Sequence, residues 1–133
     1  MKQLEQARIL LAKALEDEHA VSVMVSHADI APAIIGFHCQ QAAEKLLKAL
    51  LSAHSVFFRH RHNLSELIEA LDQSGHPLPD ELRAVEKLTP FAVGFRYDLF
   101  EEHSAFDGRS ALGLIRRLRE YVERVVRAAP PAH

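Results

Sequence analysis

Apolar residues recur at steps of three and four along most of the chain, and this spacing predicts α-helices. The first predicted helix runs from about Lys2 to Ser26. Its apolar stripe consists of Leu4, Ala7, Leu11, Ala14 and Leu15. The stretch Val21–Val25 alternates and is β-branched, as in a strand. Because a lone strand would have no partner, we extend the helix through it.

A second helix is predicted after a short connection at His27–Ala31. Asp29 is expected to cap its start, and Pro32 suits its first turn, where a missing N–H costs nothing. The helix should end near His54. Its core stripe consists of Ile35, Cys39, Ala42, Ala43, Leu46, Leu47 and Leu50.

Three shorter periodic segments complete the pattern. Asn63 followed by Glu66 has the spacing of a helix-start cap, which predicts a third helix over Leu64–Gln73 that buries Leu64, Leu67, Ile68 and Leu71. Ser74–Pro77 should end that helix.

The fourth helix is predicted to start near Pro79 or Asp80 and to kink at Pro90, between Leu88 and Phe91. It carries the apolar residues Leu82, Val85 and Leu88. Gly108 should close an acidic loop before the last helix, at about Arg109–Ala128. That helix is expected to bury Leu112, Ile115, Leu118, Val122, Val125 and Val126.

These elements predict an all-α fold, an antiparallel up-and-down helical bundle of about five helices. One domain should span residues 1–128, with a frayed tail at 129–133. The 133 residues are 48% hydrophobic and 26% charged, enough for one core without metal or disulfide. A lone cysteine, Cys39, fits the cytoplasm. We expect no signal peptide and no membrane span.

The net charge of −2 gives no support to a bulk nucleic-acid coat protein. A local basic patch is still compatible with that balance. The last helix is loaded with Arg116, Arg117, Arg119, Arg124 and Arg127, partly offset by Glu120 and Glu123. Arginine favours planar contacts with phosphate or carboxylate. This helix therefore presents either a nucleic-acid contact or a solvated face.

Arg96 and His103 are seven positions apart, close to two helical turns, so both would lie on one face of a continuous helix. An arginine that stabilises a phosphorane and a histidine that moves a proton suffice to cleave RNA without metal. A helix that ends near Asp98 would remove this argument. The alternative is a chance spacing in a chain with nine histidines.

Phe37, Gln41, Glu44 and Lys48 recur at steps of four, three and four along the second helix. We call this set the polar stripe. It is interpreted as a partner surface or as a buried hydrogen-bond network. The alternative is a solvated side of the helix with a Glu44–Lys48 pair.

The loop after the second helix concentrates basic and imidazole groups: His54, Arg59, His60, Arg61 and His62. A zinc site is disfavoured because the one cysteine lies on a core stripe. Contact of the loop with phosphate and a solvated loop both remain open. No metal and no cofactor are expected, and the chain has no glycine-rich phosphate loop.

Three motifs resemble those of HEPN domains (higher eukaryotes and prokaryotes nucleotide-binding). The string Gly36–Leu51 is similar to the family's second helix, with its Ala-x-Glu-Lys and Leu-Lys-Ala-Leu-Leu pattern. His62–Leu67 resembles the His-Asp-Leu-x-x-Leu element, with Asn63 in place of Asp. Leu88–Tyr97 resembles the Leu-Thr-x-Tyr-Ala-x-x-x-Arg-Tyr element.

The resemblance implies a helical bundle that forms a homodimer and partners an MNT-type minimal nucleotidyltransferase, often as a toxin–antitoxin pair. The function expected from it is binding of a nucleotide or of that partner. The residues assigned to this binding are Phe37, Gln41, Glu44, Lys48, Tyr97, Arg59 and His62.

The alternative implied by the resemblance is a metal-independent endoribonuclease toxin with the motif Arg-x4–6-His, which Arg96 and His103 match. Tyr97 stands where the family usually has Asn, Asp or His. An Arg-Tyr followed by proline belongs to a branch not generally credited with RNase activity, and Asp98 replaces that proline here. In this family tyrosines are also modified by the partner enzyme, which makes Tyr97 a candidate substrate.

Overall fold

The computed structural model describes residues 2–58, 63–93 and 106–129. Four α-helices, α1 (Lys2–Met24), α2 (Pro32–Ala53), α3 (Leu64–Gln73) and α4 (Gly108–Ala128), accompany a 3₁₀ helix at Asp80–Val93. These described residues contain five helices and no strand, which confirms the all-α bundle. No helix within them is long and apolar enough to cross a bilayer.

Helix α2 lies at the centre of the bundle and contacts every other helix. The cross-helix contacts Asp17–Lys45 and Gln6–Ser52 show that α1 and α2 run antiparallel. Helix α4 runs antiparallel to α1, because Arg109 at its start meets Val25 and Arg119, further along, meets Glu18. All seven residues of the predicted α2 stripe are buried. The buried faces of the other helices meet that stripe in one core.

Three helix ends follow their local sequence. Pro32 occupies the first turn of α2. Asn63 caps α3, since its side chain accepts a hydrogen bond of 2.8 Å from the Glu66 backbone. Gly75 ends α3 in the left-handed region at φ 84°, which places the Gly75 and His76 amides on the Asp72 and Leu71 carbonyls.

The prediction that Asp29 caps α2 is wrong. The N-cap is Ala31, and it makes no side-chain cap hydrogen bond. Pro32 explains the difference, because it already removes one of the amides that a cap would satisfy. Gly108 was expected to close a loop and instead begins α4, where Asp107 accepts hydrogen bonds from the Arg109 and Ser110 amides.

The fourth helix is 3₁₀ over its whole length and not a kinked α-helix. In a 3₁₀ helix residues three apart lie directly above one another. Leu82, Val85, Leu88 and Phe91 follow that step, and all four are buried. A single apolar face thus forms without the hydrogen bond that Pro90 cannot donate.

Two packing details hold the outer helices against the centre. Gly36 of α2 lies directly under the ring of Phe91, so close that a Cβ on Gly36 would overlap several ring carbons. Glu18 of α1 receives two hydrogen bonds from Arg119, at 3.0 and 3.2 Å. The Gly36–Phe91 contact positions the 3₁₀ helix on α2, and the Glu18–Arg119 ion pair holds α1 against α4.

Two expectations about apolar residues need correction. Leu15, predicted in the α1 stripe, is 39% exposed. Val125, predicted in the core of α4, is only partly buried. Small residues form the tightest part of α1, where Ala7, Ala14 and Val21 are fully covered. Their spacing of seven shows that the buried face of α1 is narrower than the apolar pattern suggests.

Candidate functional site

The polar stripe lies along one side of α2. Phe37, Gln41, Glu44 and Lys48 are all half-buried. Ile35 lies next to the first residue of α4. Glu44 is nine positions, or two and a half helical turns, after Ile35, so the two side chains lie on opposite sides of α2. The polar stripe therefore points away from α4.

A continuous chain of hydrogen bonds connects this surface, and its central member is Gln40. Gln41 donates to Gln40 Oε1 at 2.7 Å, and Gln40 Nε2 donates to Glu44 Oε1 at 3.2 Å. Lys48 donates to the other oxygen of Glu44 at 3.1 Å. Gln40 is 0% exposed, so its amide needs both partners. The Glu44–Lys48 pair is thus the end of a network anchored in the core.

Sequence reasoning missed Gln40. The sequence contained an indication of its role, because Gln40 and Glu44 are four positions apart, a spacing at which helical side chains meet. Phe58 was also missed. The Lys48 ammonium lies 5.9 Å from the centre of its ring, a cation–π distance. The loop after α2 therefore helps to position the charged end of the polar stripe.

The network leaves defined groups for a ligand or partner. Lys48 uses one of its three N–H donors on Glu44, and Gln41 Oε1 accepts no hydrogen bond from the residues that the structure describes. The side chains of Glu44 and Lys48 are only 19% and 16% exposed. A fixed carboxylate–ammonium pair beside an amide and Phe37 can recognise a polar partner at little ordering cost.

A second charged cluster connects the neighbouring edge of α2 to α1. Asp17 accepts from Lys45 at 2.5 Å and lies 3.3 Å from His38 Nδ1. The Phe37 ring meets His38 edge-on, with ring centres 5.4 Å apart. This cluster fixes the turn of α2 that carries Phe37.

A cavity of about 670 Å³ lies at the other end of the α1–α2 pair. Its walls include Gln6 and Ser52, which bond each other at 2.7 Å, and Phe57, which is 86% exposed. The cavity has the size of a small-ligand pocket. Apart from Phe58, it shares no residue with the network on α2.

Five of the residues assigned from the sequence lie outside the described residues: Arg96, His103, Tyr97, Arg59 and His62. The structure therefore brings together only the four residues of the polar stripe. His54, from the basic loop cluster, stacks on His76 with ring centres 3.7 Å apart. Burial, and secondly His76, lowers the pKa of His54.

Metal coordination and thiol chemistry gain no support in the described part of the chain. It contains no group of three or more His, Cys, Asp or Glu side chains arranged to hold a metal ion. Burial raises the pKa of the Cys39 thiol to about 12. Cys39 is therefore a neutral core residue at physiological pH.

The arginines of α4 divide into two groups. Arg119 forms ion pairs with Glu18 and Glu123. These hydrogen bonds, that to Glu18 first, hold the pKa of its guanidinium above its usual range. Arg116, Arg117, Arg124 and Arg127 are exposed. Arg119 therefore has a structural role, and the other four belong to the exposed side of the helix.

Comparison with known proteins gives one result. The chain matches the model of the HEPN domain over residues 7–125. The searches of curated proteins and of solved structures give no match. The match spans α1 through most of α4 and includes the polar stripe. By its sequence, across nearly its whole length, the chain belongs to the HEPN domain family.

Proposed function

We propose that this chain is the helical partner of a minimal nucleotidyltransferase in a toxin–antitoxin type pair, and that it forms a homodimer in the cytoplasm. The observation that carries the proposal is the ordered network of Gln40, Gln41, Glu44 and Lys48 on α2. Membership of the HEPN family supports a nucleotide-binding or RNase-type module. The network supplies the surface for such a role.

The network is suited to recognition because its geometry exists before a partner arrives. Holding Glu44 and Lys48 through the buried Gln40 removes most of the entropy cost of ordering them on binding. Phe37 adds a half-buried aromatic ring at one end, the residue class enriched at interface centres. Specificity would come from the fixed alternation of amide, carboxylate and ammonium groups.

Gln41→Arg is expected to weaken the proposed complex with a minimal nucleotidyltransferase at least tenfold, about 1.4 kcal/mol. The change removes the amide that bonds Gln40 and places a cation three positions before Glu44, where it would compete with Lys48 for the Glu44 carboxylate. Co-purification and titration calorimetry of the co-expressed pair measure the loss. Gln73→Arg, the same change at an exposed position of α3, is the control and should bind like the wild type.

Two results would contradict this proposal. One is a monomer in sedimentation at high concentration that co-purifies with no nucleotidyltransferase. The other is Gln41→Arg binding as tightly as Gln73→Arg. Intact mass spectrometry after incubation with the partner and ATP tests the related proposal that Tyr97 is modified. A nucleotide adduct that disappears in Tyr97→Phe supports it.

The second candidate function is a metal-independent endoribonuclease using Arg96 and His103. The observation that favours it is the Arg-x6-His spacing in a chain of the HEPN family. In this proposal His103 removes the proton from a ribose 2′-hydroxyl, which attacks the adjacent phosphorus, and Arg96 binds the phosphorane oxygens. The P–O5′ bond breaks, the leaving 5′-oxygen takes a proton from water and His103 releases its proton to solvent, leaving a 2′,3′-cyclic phosphate and a 5′-hydroxyl.

His103→Ala is expected to abolish RNA cleavage, a loss of at least a hundredfold, because general acid–base catalysis typically contributes about 10²–10⁴. Cleavage of labelled RNA is followed with a chelator present, and the product ends are identified by mass. His19→Ala, which removes an exposed histidine of α1, is the control. Wild-type protein that never cleaves RNA, alone or with its partner, removes the catalytic proposal and leaves the partner role standing.

A further inference from the structure

The positive charge on α4 is concentrated, and arginine alone carries it. Its 21 residues include six arginines, two glutamates and no lysine, in a chain whose net charge is −2. The remainder of the chain is therefore acidic, and α4 is the opposite of its surroundings. Arginine is the cation best suited to phosphate, because its planar fork donates two parallel hydrogen bonds.

Three of these arginines have no ion pair with any residue that the structure describes: Arg117, Arg124 and Arg127. All three are exposed. The others are at least partly occupied. Arg119 is held by two carboxylates, Arg116 lies 3.9 Å from Glu18, and Arg109 donates to the Val25 carbonyl. The three unpaired guanidinium groups are thus available to bind an external anion.

These three residues also share a face. Arg117 and Arg124 are seven positions apart, about 10 Å along the axis, and Arg127 extends the row to about 15 Å. The guanidinium of Arg124 lies 6.0 Å from the ring centre of Tyr121, which is half-buried. Glu120 is also exposed on this face, three positions after Arg117 and four before Arg124. The face therefore combines three cations and one carboxylate with an aromatic ring at its edge.

We propose that the Arg117–Arg124–Arg127 face of α4 binds the phosphodiester backbone of single-stranded nucleic acid. Three unpaired arginines along one face can each bind a backbone phosphate and outnumber the single carboxylate among them, and an adjacent tyrosine offers a stacking surface for an unpaired base. A membrane surface fits poorly, because the apolar side of α4 is buried in the core and cannot insert into lipid. An acidic protein would satisfy the cations but would make no use of the ring.

The proposal is independent of the function proposed above. The polar stripe lies on the side of α2 that points away from α4, so a protein partner there would leave the arginine face open. It also requires no catalysis by Arg96 and His103. A 2′-deoxy strand lacks the hydroxyl that the RNase mechanism uses, so binding of DNA tests the face even if the RNase proposal fails.

The test is fluorescence anisotropy of a labelled single-stranded RNA and of the DNA of the same sequence, across a range of salt concentrations. The test variant is Arg117→Gln/Arg124→Gln/Arg127→Gln. The control, Arg8→Gln/Lys13→Gln/Lys87→Gln, removes three exposed cations from α1 and the 3₁₀ helix. Both variants change the net charge by the same amount, so only the position of the charges differs.

We expect the test variant to bind both strands at least tenfold more weakly at low salt, while the control binds like the wild type. The slope of log affinity against log salt should fall by about two in magnitude, since each phosphate contact on a single strand contributes about 0.7. Equal binding by both variants overturns the proposal. Competition by polyglutamate as effective as that by RNA would assign the face to an acidic protein instead.

Discussion

Gly36→Ala is expected to lower the free energy of unfolding by about 2 kcal/mol, although alanine is the better helix former. In an exposed helix interior this change stabilises by about 0.5–1 kcal/mol. At position 36 the new Cβ would overlap the ring of Phe91, and overpacking typically costs about 1–3 kcal/mol. Phe91 is further confined because Phe106 also packs against its ring, with ring centres 4.8 Å apart.

Urea unfolding followed by circular dichroism measures this effect. The matched control is Gly113→Ala in α4, where an added Cβ would meet, among the described residues, only the far end of the Arg117 side chain, at 3.6 Å. That variant should be stabilised by about 0.5–1 kcal/mol. The double variant Gly36→Ala/Phe91→Leu should lose less unfolding free energy than the sum of the losses in the two single variants, because the residues are in contact. A stabilised Gly36→Ala protein would show that the 3₁₀ helix does not pack here.

Arg119→Met is expected to cost about 2–3 kcal/mol of unfolding free energy. The change keeps an unbranched apolar stem but removes the guanidinium, which leaves the Glu18 carboxylate, 12% exposed, without its main partner. Removing one member of a fully buried ion pair costs about 3–5 kcal/mol. The loss here is smaller because Arg119 is 23% exposed and Arg116 lies within 3.9 Å of Glu18.

Two further variants distinguish the effect of losing the Glu18–Arg119 ion pair from the effects of helix propensity and of net charge. Arg124→Met is the same substitution on the same helix at an exposed residue, and it should change stability by no more than about 0.5 kcal/mol. Glu18→Leu/Arg119→Met should recover most of the loss, because no carboxylate then remains unpaired. If Arg119→Met and Arg124→Met are equally stable, the Glu18–Arg119 ion pair contributes nothing to the free energy of unfolding.

The α-helices could be read closely from the sequence because each one's signal is local. The bounds of α3 were predicted without error, since Asn63 and Gly75 act on amides within a few residues of themselves. The ends of α1 and α2 fell within two residues. The fourth helix was assigned the wrong type because the Leu82–Phe91 spacing was interpreted with an α-helical period.

The candidate site was predicted only in part. The spacing of Phe37, Gln41, Glu44 and Lys48 was enough to place them on one side of α2, because helical periodicity fixes direction. It did not reveal that Gln40 is buried and connects Gln41 to Glu44. A glutamine at the edge of an apolar stripe becomes buried or exposed according to what packs over it.

The sequence by itself determined which segments are helices, where most of them end, which α2 residues face the core, and to which family the chain belongs. These properties depend on spacing and on capping, which act over a few residues. Only the tertiary structure decided the pairing of Glu18 with Arg119, which are 101 positions apart. It also decided that the Phe91 ring packs on Gly36 and which arginines of α4 remain without an ion pair in the described part of the chain. Such contacts arise from the mutual placement of helices, for which no local pattern in the chain carries the information.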